Sequence, residues 1–285
     1  MENIPVRNIN TSEGELSKNF NIRDVRDLLA GKDMIQELHR HNFFYVLALK
    51  KGKGTHEIDF NPYEVADNVI FFMRPGQVHQ LTMKAGSTGY MMAFKNDFYS
   101  PPDKAGHQLL RKVSSMNYYQ SDNDGFKRLN TPLANIFQEF SNRQEQYQEV
   151  IRANLHIFLI ELIRQCNQAS AGNTNMYTQE RLEEFLALLE THIAGIKQAS
   201  SYADMMHLSL YQLNTITKAT MGKTCSEMIN EQIILEAKRY LLATSGQVSQ
   251  IADQLGYEDV SYFIRFFKKN TGYSPEVFRQ QFRSL

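Results

Sequence analysis

Three histidines in the first third of this 285-residue chain are spaced so that their imidazoles could meet. His39 and His41 are two residues apart, and on a β-strand such residues point to the same face of the sheet. His79 follows the turn-forming pair Pro75-Gly76 and could converge on them across a barrel. Three imidazoles can hold Zn, Fe, Ni or Mn. Polar lining of a pocket and ordinary histidines at strand ends are the alternatives, and the residues alone leave them open.

A second group of side chains, near the C-terminus, has the chemistry that contacts DNA. Phe263, Phe266 and Phe267 recur at i, i+3 and i+4, which predicts a helix with a buried stripe. Arginine pairs bidentately with guanine, whereas lysine mostly contacts phosphate. Another face of this helix is therefore predicted to enter a DNA groove, with a merely solvated charged face as the alternative. Its residues are Ser261, Ile264, Arg265, Lys268 and Lys269.

A less regular copy of this segment lies about fifty residues upstream. Ala203-Asp204 aligns with Ala252-Asp253, and Gly222 aligns with Gly272, with a shift of one residue between them. The shift falls in a turn, where an extra residue is tolerated most easily. Each copy is predicted to be a helix-turn-helix, whose second helix lies in the major groove. The matching outer face of the upstream copy, also predicted to contact DNA, consists of Tyr211, Asn214, Thr215 and Lys218.

A long helix is predicted between the copies, from Cys225 to about Ala243, because apolar side chains recur through it at helical spacing. About nineteen residues at 1.5 Å rise span roughly 28 Å. Successive major grooves on one face of DNA lie about 34 Å apart. A rigid helix of this length could set two recognition helices into adjacent grooves. After the second copy, Gly272 suits a left-handed helix stop, and Ser274-Pro275 suits the start of a further helix.

The second copy carries a combined signature: Ile251-Ala252, Leu255-Gly256-Tyr257, Ser261-Tyr262-Phe263, Arg265, Phe267-Lys268, Gly272 and Ser274-Pro275. With these residues, positions 176–285 resemble the C-terminal domain of the AraC/XylS family of bacterial transcription regulators, in which a long helix joins two helix-turn-helix units. The upstream copy departs from the family: Thr215 replaces a frequent Arg, Thr217 a frequent Phe, and Cys225 a common Pro. The resemblance therefore implies firmer base contacts for the second unit than for the first.

The N-terminal half has a different pattern. Aromatic and β-branched runs at 43–49 and 69–73 are separated by turns rich in Gly, Pro and Asn, and residues 55–60 alternate polar and apolar side chains. Short strands in an antiparallel sandwich or barrel are predicted, similar to the cupin barrel of many AraC-type regulators. Its interior would suit a small polar molecule with an apolar face, such as a sugar or an aromatic acid. The predicted lining, for which plain core packing is the alternative, is His41, Tyr45, Phe72, His79 and Tyr90.

Metal-binding cupins, which this half also resembles, usually carry a carboxylate shortly after a His-x-His pair. Tyr45 stands at that position here, and Glu57 and Asp59 lie elsewhere. The resemblance thus argues against a metal site. We predict neither a metal nor a cofactor, with His39, His41 and His79 kept as the candidate ligands.

Residues 101–168 are predicted to be helical. Within 146–164, apolar residues cover so much of the helix that two faces need burial. One face can lie against the barrel, and the other can meet the same helix of a second chain in a two-fold dimer. A single well-buried helix is the alternative. Residues 169–175 are small and polar, which is typical of a linker.

Composition and charge narrow the class of protein. Acidic and basic residues number 31 each, so the net charge is zero. Residues 261–285 hold five basic residues against one acid, so the positive field expected of a DNA-binding surface is local. No segment approaches the twenty apolar residues of a membrane span. The N-terminus lacks a signal-peptide core, and two cysteines make no disulfide framework, so we expect a cytoplasmic protein.

The predicted fold class is α+β: a cupin-like antiparallel barrel with following helices over 1–167, a linker over 168–177, and an all-α double helix-turn-helix domain over 178–285. We predict a transcription regulator that binds specific DNA sequences and is regulated by a small molecule. Activation is the commoner outcome in the resembled family, so we expect an activator. Its expected partners are promoter DNA, RNA polymerase, a small-molecule effector and a second copy of the chain.

Two alternative functions remain at this point. One is a metal-dependent cupin enzyme fused to a DNA-binding module, for which no convincing catalytic set is found, so we predict that the protein is not an enzyme. The other is a DNA-repair alkyl acceptor, which would need an activated thiolate at Cys166 or Cys225.

Overall fold

The computed structural model describes residues 5–9, 18–99, 104–114, 116–169 and 176–282. They fall into two compact units, one within Val6–Ala171 and the other within Gly172–Leu285. Most of the predicted linker lies outside the described residues. None of the helices in the described ranges is both long and apolar enough to span a membrane.

The first unit is a β-barrel followed by helices, as predicted. Its strands and helices in chain order are β1 (Val6–Arg7), β2 (Phe20–Asp24), α1 (Val25–Leu29), β3 (Met34–His41), β4 (Phe44–Lys51), β5 (Gly54–Ile58), β6 (Asn61–Val65), β7 (Val69–Met73), β8 (Val78–Met83), β9 (Thr88–Phe94), α2 (Lys104–Ser114), β10 (Tyr118–Gln120), α3 (Asn123–Asn142) and α4 (Tyr147–Ala169). The strands form two five-stranded sheets, ordered β1-β3-β8-β5-β6 and β10-β7-β4-β9-β2. All the pairings are antiparallel except β1 with β3.

The second sheet is apolar on both faces because it separates two cores. In β4, Tyr45 and Leu47 belong to the core inside the barrel, whereas Phe44 and Val46 belong to the core formed with α2, α3 and α4. A strand buried on both sides shows a continuous apolar run instead of alternation. This explains the uninterrupted runs at 43–49 and 69–73.

β10 differs from the prediction, since residues 118–120 lie in a region predicted to be helical. Tyr118 pairs with Phe71 at the edge of the second sheet. Three residues carry too little periodicity to be told from the helices on either side, and their pairing partner is almost fifty residues away.

The second unit is all-helical. Its elements are α5 (Met176–His192), α6 (Ala199–Met205), α7 (Leu210–Met221), α8 (Cys225–Ala243), α9 (Val248–Gln254), α10 (Val260–Thr271) and α11 (Pro275–Phe282). One apolar core draws residues from all seven. The bounds of α8 confirm the predicted long helix, and α11 begins at Pro275, as predicted.

Candidate DNA interface and barrel interior

Both predicted helix-turn-helix units are present, and their helices correspond residue by residue. α6 and α9 have 7 residues each, and α7 and α10 have 12 each. The additional residue of the second unit lies in the turn, which confirms the predicted shift. Each turn contains an equivalent hydrogen bond. The amide of Leu208 donates to the Ala203 carbonyl, and the amide of Tyr257 donates to the Ala252 carbonyl, both at 2.9 Å.

α10 carries most of its charge on the face turned to solvent. Asp259 caps its start by accepting a hydrogen bond from the Ser261 amide at 2.7 Å, and Gly272 ends it with φ 82°. Phe263 and Phe267 are fully buried, so the helix is held with its opposite face outward. Exposed on that face are Ser261, Arg265, Lys268 and Lys269.

The guanidinium of Arg265 is available for a further contact. Its side chain is 68% exposed, and its Nη2 lies 3.9 Å from an Asp259 carboxylate that is itself exposed. Such a pair in water contributes little stability. DNA could therefore replace Asp259 as the partner at small cost.

Two residues of α10 are placed differently from the prediction. Ile264 is half-buried and packs against the core, so only part of its side chain reaches the outer face. Tyr262 was not selected as a contact, yet its side chain is 55% exposed. Its spacing of three residues from Arg265 places it on the same side of the helix, a signal that the sequence already contained.

α7 begins and ends as regularly as α10, but its outer face is less charged. Ser209 forms a capping box with Gln212, and Gly222 ends the helix with φ 69°. The exposed predicted contacts are Tyr211, Thr215 and Lys218.

Asn214 makes a contact within the protein in addition to its predicted role on the outer face of α7. Its Oδ1 accepts a hydrogen bond from the backbone amide of Cys225, the first residue of α8, at 3.0 Å. A bidentate contact with adenine uses the amide oxygen of Asn as an acceptor, and the Cys225 amide takes one of the two lone pairs of that oxygen. Asn214 therefore joins α7 to the start of α8, and its contact with DNA stays a prediction.

The positive charge of the C-terminal segment is less available than its composition implied. The guanidinium of Arg279 donates to the carbonyl of Leu241 at 3.0 Å and to that of Gly246 at 2.5 Å. It therefore fastens α11 to the end of α8. Arg283 lies outside the described residues, so within the described part of residues 261–285 the exposed cations are those of α10, Arg265, Lys268 and Lys269.

Cys225 does not have the chemistry of an alkyl acceptor. It is fully buried at the start of α8, and burial raises the pKa of its thiol to about 12. A reactive cysteine needs a lowered pKa. The side chain of Cys166 lies outside the described residues.

In the barrel, the three predicted histidines meet. His39 and His41 lie on β3 and His79 on the adjacent β8, where His39 is the direct cross-strand partner of His79. The Nε2 atom of His79 lies 2.8 Å from Nε2 of His41 and 3.1 Å from Nε2 of His39. All three side chains are buried.

His56, which was not selected from the sequence, is a fourth member of this cluster. It lies on β5, and its Nε2 is 2.8 Å from Nδ1 of His79. The alternation of residues 55–58 held the signal, since His56 shares a face with the apolar Ile58. Burial is the main cause that lowers the pKa of His41 and of His56 to about 3 and that of His79 well below its usual value, so these rings are neutral near pH 7.

Phe72 and Tyr90 are not in the barrel interior, and this part of the predicted lining is corrected. Phe72 belongs to the core that β7 shares with the helices, and the ring of Tyr90 packs 5.4 Å from that of Phe137 on α3. Both residues lie on the outer face of the second sheet. Because that sheet is apolar on both sides, composition did not distinguish its two faces.

A cavity of about 540 Å³ lies beside the histidine cluster. His41 and Tyr45, both predicted to line a pocket, are on its wall. The other residues that line it are Arg7, Asn8, Ile9, Asn21, Arg23, Gln36, Phe43, Met91 and Ala93. Several of them come from β1 and β2, whose pairing with distant strands a local pattern does not reveal.

Two family models match this chain. A model of an AraC-like ligand binding domain matches residues 32–163, and a model of a helix-turn-helix domain matches residues 202–281. The first match covers β3 to β10, α3 and most of α4, and the second covers α7 to α10 together with most of α6 and α11.

Curated relatives match over most of the chain. The HTH-type transcriptional activator RhaS of Escherichia fergusonii is 26% identical over 250 residues, which cover 85% of this chain and 87% of that protein. The protein of the same name from Escherichia coli O1:K1 / APEC is 23% identical over 248 residues, with the same coverage. The matches are to transcription regulators and do not support the alternative of a cupin enzyme.

A solved structure also aligns along most of the chain. It is that of ToxT from Vibrio cholerae with bound unsaturated fatty acid, at 14% identity and a TM-score of 0.41, covering 92% of this chain and 95% of that one. The TM-score is too low for any detail to be transferred.

Proposed function

This chain belongs to the AraC family of transcription regulators, and on that premise we propose that it binds specific promoter DNA with the outer faces of α7 and α10. In this proposal, residues 1–167 regulate, 168–177 link, and 178–285 bind DNA. The two recognition helices enter adjacent major grooves, and α8 sets their spacing. The protein acts where the promoter DNA lies, in the cytoplasm.

The observation that carries the proposal is the outer face of α10. Two buried phenylalanines anchor this helix, and its exposed side holds Arg265, Lys268 and Lys269. A guanidinium reads guanine through two parallel hydrogen bonds, and the two ammonium groups are suited to phosphates on either side.

Footprinting on the DNA upstream of the protein's own gene tests the proposal. Protection of two major-groove segments about one helical turn apart is expected if both recognition helices bind. Protection of a single groove would contradict the two-groove arrangement, and no protection on any upstream fragment would contradict specific binding there.

We further propose that a small effector binds in the cavity beside β1 and β2. The two arginines and the amides on its wall supply hydrogen-bond donors, while Ile9, Phe43 and Met91 supply apolar surface. A small polar molecule with acceptor oxygens and an apolar face fits this lining. Sugars and aromatic acids are the classes to screen first.

A thermal-shift screen of these classes tests the effector proposal, because a ligand that binds only the folded state raises Tm as its concentration rises. Arg23→Gln is the test variant, because it removes one charge from the cavity wall. A hit that stabilises the wild type and Arg23→Gln equally would place the ligand elsewhere.

Activation is the proposed direction of regulation, on the ground that the curated relatives are named activators. An activator bound at a promoter needs to contact RNA polymerase, which is the second proposed partner. A promoter fusion tests the direction: transcription should fall when the gene is deleted and return when it is restored. A rise on deletion would reverse the sign.

The last part of the proposal is a homodimer through α4. One face of α4 is buried and includes Ile151, Leu155 and Phe158. Val150 and Ile157 of the same helix, seven residues apart, are exposed. Two such apolar positions one heptad apart fit a seam with the same helix of a second chain. Light scattering should give twice the mass of one chain, and Ile157→Glu should give a monomer.

A further inference from the structure

The strongest unexplained feature of the barrel is the close approach of three histidine ring nitrogens. His39, His41 and His79 each offer one ring nitrogen, and these atoms all lie within 4.8 Å of one another. They are brought there by two neighbouring strands of one sheet, so the arrangement is built into the barrel and does not depend on a loop. Three imidazole nitrogens that converge on one point form the usual protein part of an open divalent metal site.

The protons of the cluster cannot all be placed well without a shared partner. Nδ1 of His39 lies 2.6 Å from the carbonyl oxygen of Glu37. A carbonyl oxygen only accepts, so this nitrogen carries the hydrogen, and Nε2 of the neutral ring is a bare lone pair.

Nε2 of His79 then has no satisfactory protonation state. If Nε2 of His79 has no hydrogen, its lone pair faces that of His39 at 3.1 Å. If it has one, that single hydrogen cannot point at both His39 and His41, which lie 3.1 and 2.8 Å away. Either choice leaves a poor contact among buried polar atoms, which is costly. A cation at the convergence point would accept all three lone pairs.

Two of the three rings, those of His39 and His79, have outer contacts of the kind that metal-binding histidines make. Glu37 holds Nδ1 of His39, and Nε2 of His56 lies 2.8 Å from Nδ1 of His79. Such partners fix the orientation and tautomer of a ligand ring. His56 is fully buried, and this contact gives it a role that simple core packing does not require.

The donor atoms also indicate which cation would fit. All three are imidazole nitrogens, and the position at which metal cupins carry an acid is occupied by Tyr45, whose ring stacks on that of His41 at 5.4 Å. Nitrogen donors without a carboxylate suit Zn²⁺, Ni²⁺, Co²⁺ or Cu²⁺ and not Mg²⁺ or Ca²⁺. We propose that His39, His41 and His79 bind a first-row divalent cation of this group through Nε2, and that His56 positions His79.

The cation would lie next to the cavity, because His41 contributes to both. Three protein ligands leave a coordination position open. A molecule bound in the cavity against His41 would then lie close to the cation.

The test uses the full-length protein, stripped with a chelator and titrated with Zn²⁺ and, separately, with Mg²⁺. We expect one Zn²⁺ per chain, a higher Tm when it is bound, and no response to Mg²⁺. The absorption spectrum of the Co²⁺-loaded protein provides a readout independent of stability, because cobalt held by nitrogen donors in a tetrahedral site absorbs differently from hydrated cobalt.

Three variants separate the barrel site from surface binding. His41→Gln should abolish the stoichiometric Zn²⁺, and His56→Gln should weaken it about 10–100-fold with the stoichiometry unchanged, as loss of an outer partner does. The control is His207→Asn, which changes an exposed histidine outside the barrel and should bind as the wild type does.

Two results would overturn the proposal. One is a folded wild-type protein that binds no Zn²⁺ and gives only the spectrum of hydrated Co²⁺ when either metal is in several-fold excess. The other is equal Zn²⁺ affinity in the wild type and His41→Gln. If His41→Gln does not fold, the wild-type Co²⁺ spectrum decides whether the protein binds the metal through nitrogen donors.

Discussion

The two helix-turn-helix units have helices of the same lengths and differ in what their side chains contact. α10 exposes three cations on its outer face, whereas the cation exposed among the predicted contacts of α7 is Lys218. At the matching position of each recognition helix, Asn214 binds the amide of Cys225 at the start of α8, and Ile264 packs on the core. The backbone thus specifies where a recognition helix lies, and only the side chains decide whether it reads bases. The outer face of the second unit therefore offers more charged side chains to DNA than that of the first.

The turns of the two units also differ, although their backbones have similar conformations at the matching position. His207 and Gly256 hold matching positions, with φ 53° and 71°. Around Gly256, the ammonium of Lys197 donates to the carbonyl of Ala194 at 3.0 Å and to that of Gly256 at 2.9 Å. The second turn is therefore packed tightly against the segment before α6, and the first accepts a large side chain.

The largest predicted effect is that of Gly256→Ala. A Cβ at this position would lie 1.9 Å from the Ala194 carbonyl oxygen, and the left-handed conformation alone costs about 1–2 kcal/mol for a residue with a side chain. We expect a loss of at least about 2 kcal/mol in unfolding free energy, measured by urea titration. His207→Ala is the control and should cost under about 0.5 kcal/mol. Equal losses would mean that the two turns are packed alike.

Arg265→Ala should give the next largest effect, on DNA binding instead of folding. Loss of a bidentate base contact costs about 1–3 kcal/mol and relaxes selectivity at one base pair. Thr215→Ala, at the matching position of α7, should change affinity by less, because Thr215 already donates its hydroxyl hydrogen to the Tyr211 carbonyl at 2.9 Å. Binding to a set of single-base operator variants measures both. Uniform weakening by Arg265→Ala on every operator would make Arg265 a phosphate contact.

The residues that the sequence located best are those whose neighbours are local. The helices of both units, the shift in the turn and the start of α11 all follow from spacing and capping within a few residues. The meeting of His39, His41 and His79 was predictable because strand alternation and a single strand pairing are enough to produce it.

The features that could not be predicted depend on which neighbouring element each face of a strand or helix contacts. Phe72 and Tyr90 lie in a sheet that is apolar on both sides, so no periodicity assigns them to the interior or to the helices. The bond from Asn214 to Cys225 joins two helices across a turn, and the cavity arginines arrive on β1 and β2 through pairing with β3 and β9. Helical or strand periodicity describes one element at a time and does not reveal these long-range contacts.

Asn214→Ala tests whether the first unit aligns instead of reading. The variant removes the acceptor for the Cys225 amide, so we expect a loss of about 1 kcal/mol in unfolding free energy, similar to the loss of a helix cap. DNA affinity should fall by a similar factor on every operator, since α7 is displaced relative to α8 while no base contact is lost. Asn214→Asp keeps the acceptor oxygen and should retain the stability. A selective loss at one adenine in Asn214→Ala would show that Asn214 reads DNA after all.

The smallest effect concerns the salt dependence of binding, and it distinguishes the two outer faces by charge alone. Each lysine that neutralises a phosphate contributes about 0.9 to the slope of log affinity against log salt concentration. The double change Lys268→Ala and Lys269→Ala should therefore lower the slope by about 1.8, and Lys218→Ala by about 0.9. Fluorescence anisotropy over a salt series measures the slopes. Because these contacts carry no base information, selectivity among operators should stay unchanged in both variants. A slope that stays at the wild-type value in the double variant would mean that the lysines of α10 remain solvated in the complex, which would leave Arg265 as the main contribution of that helix.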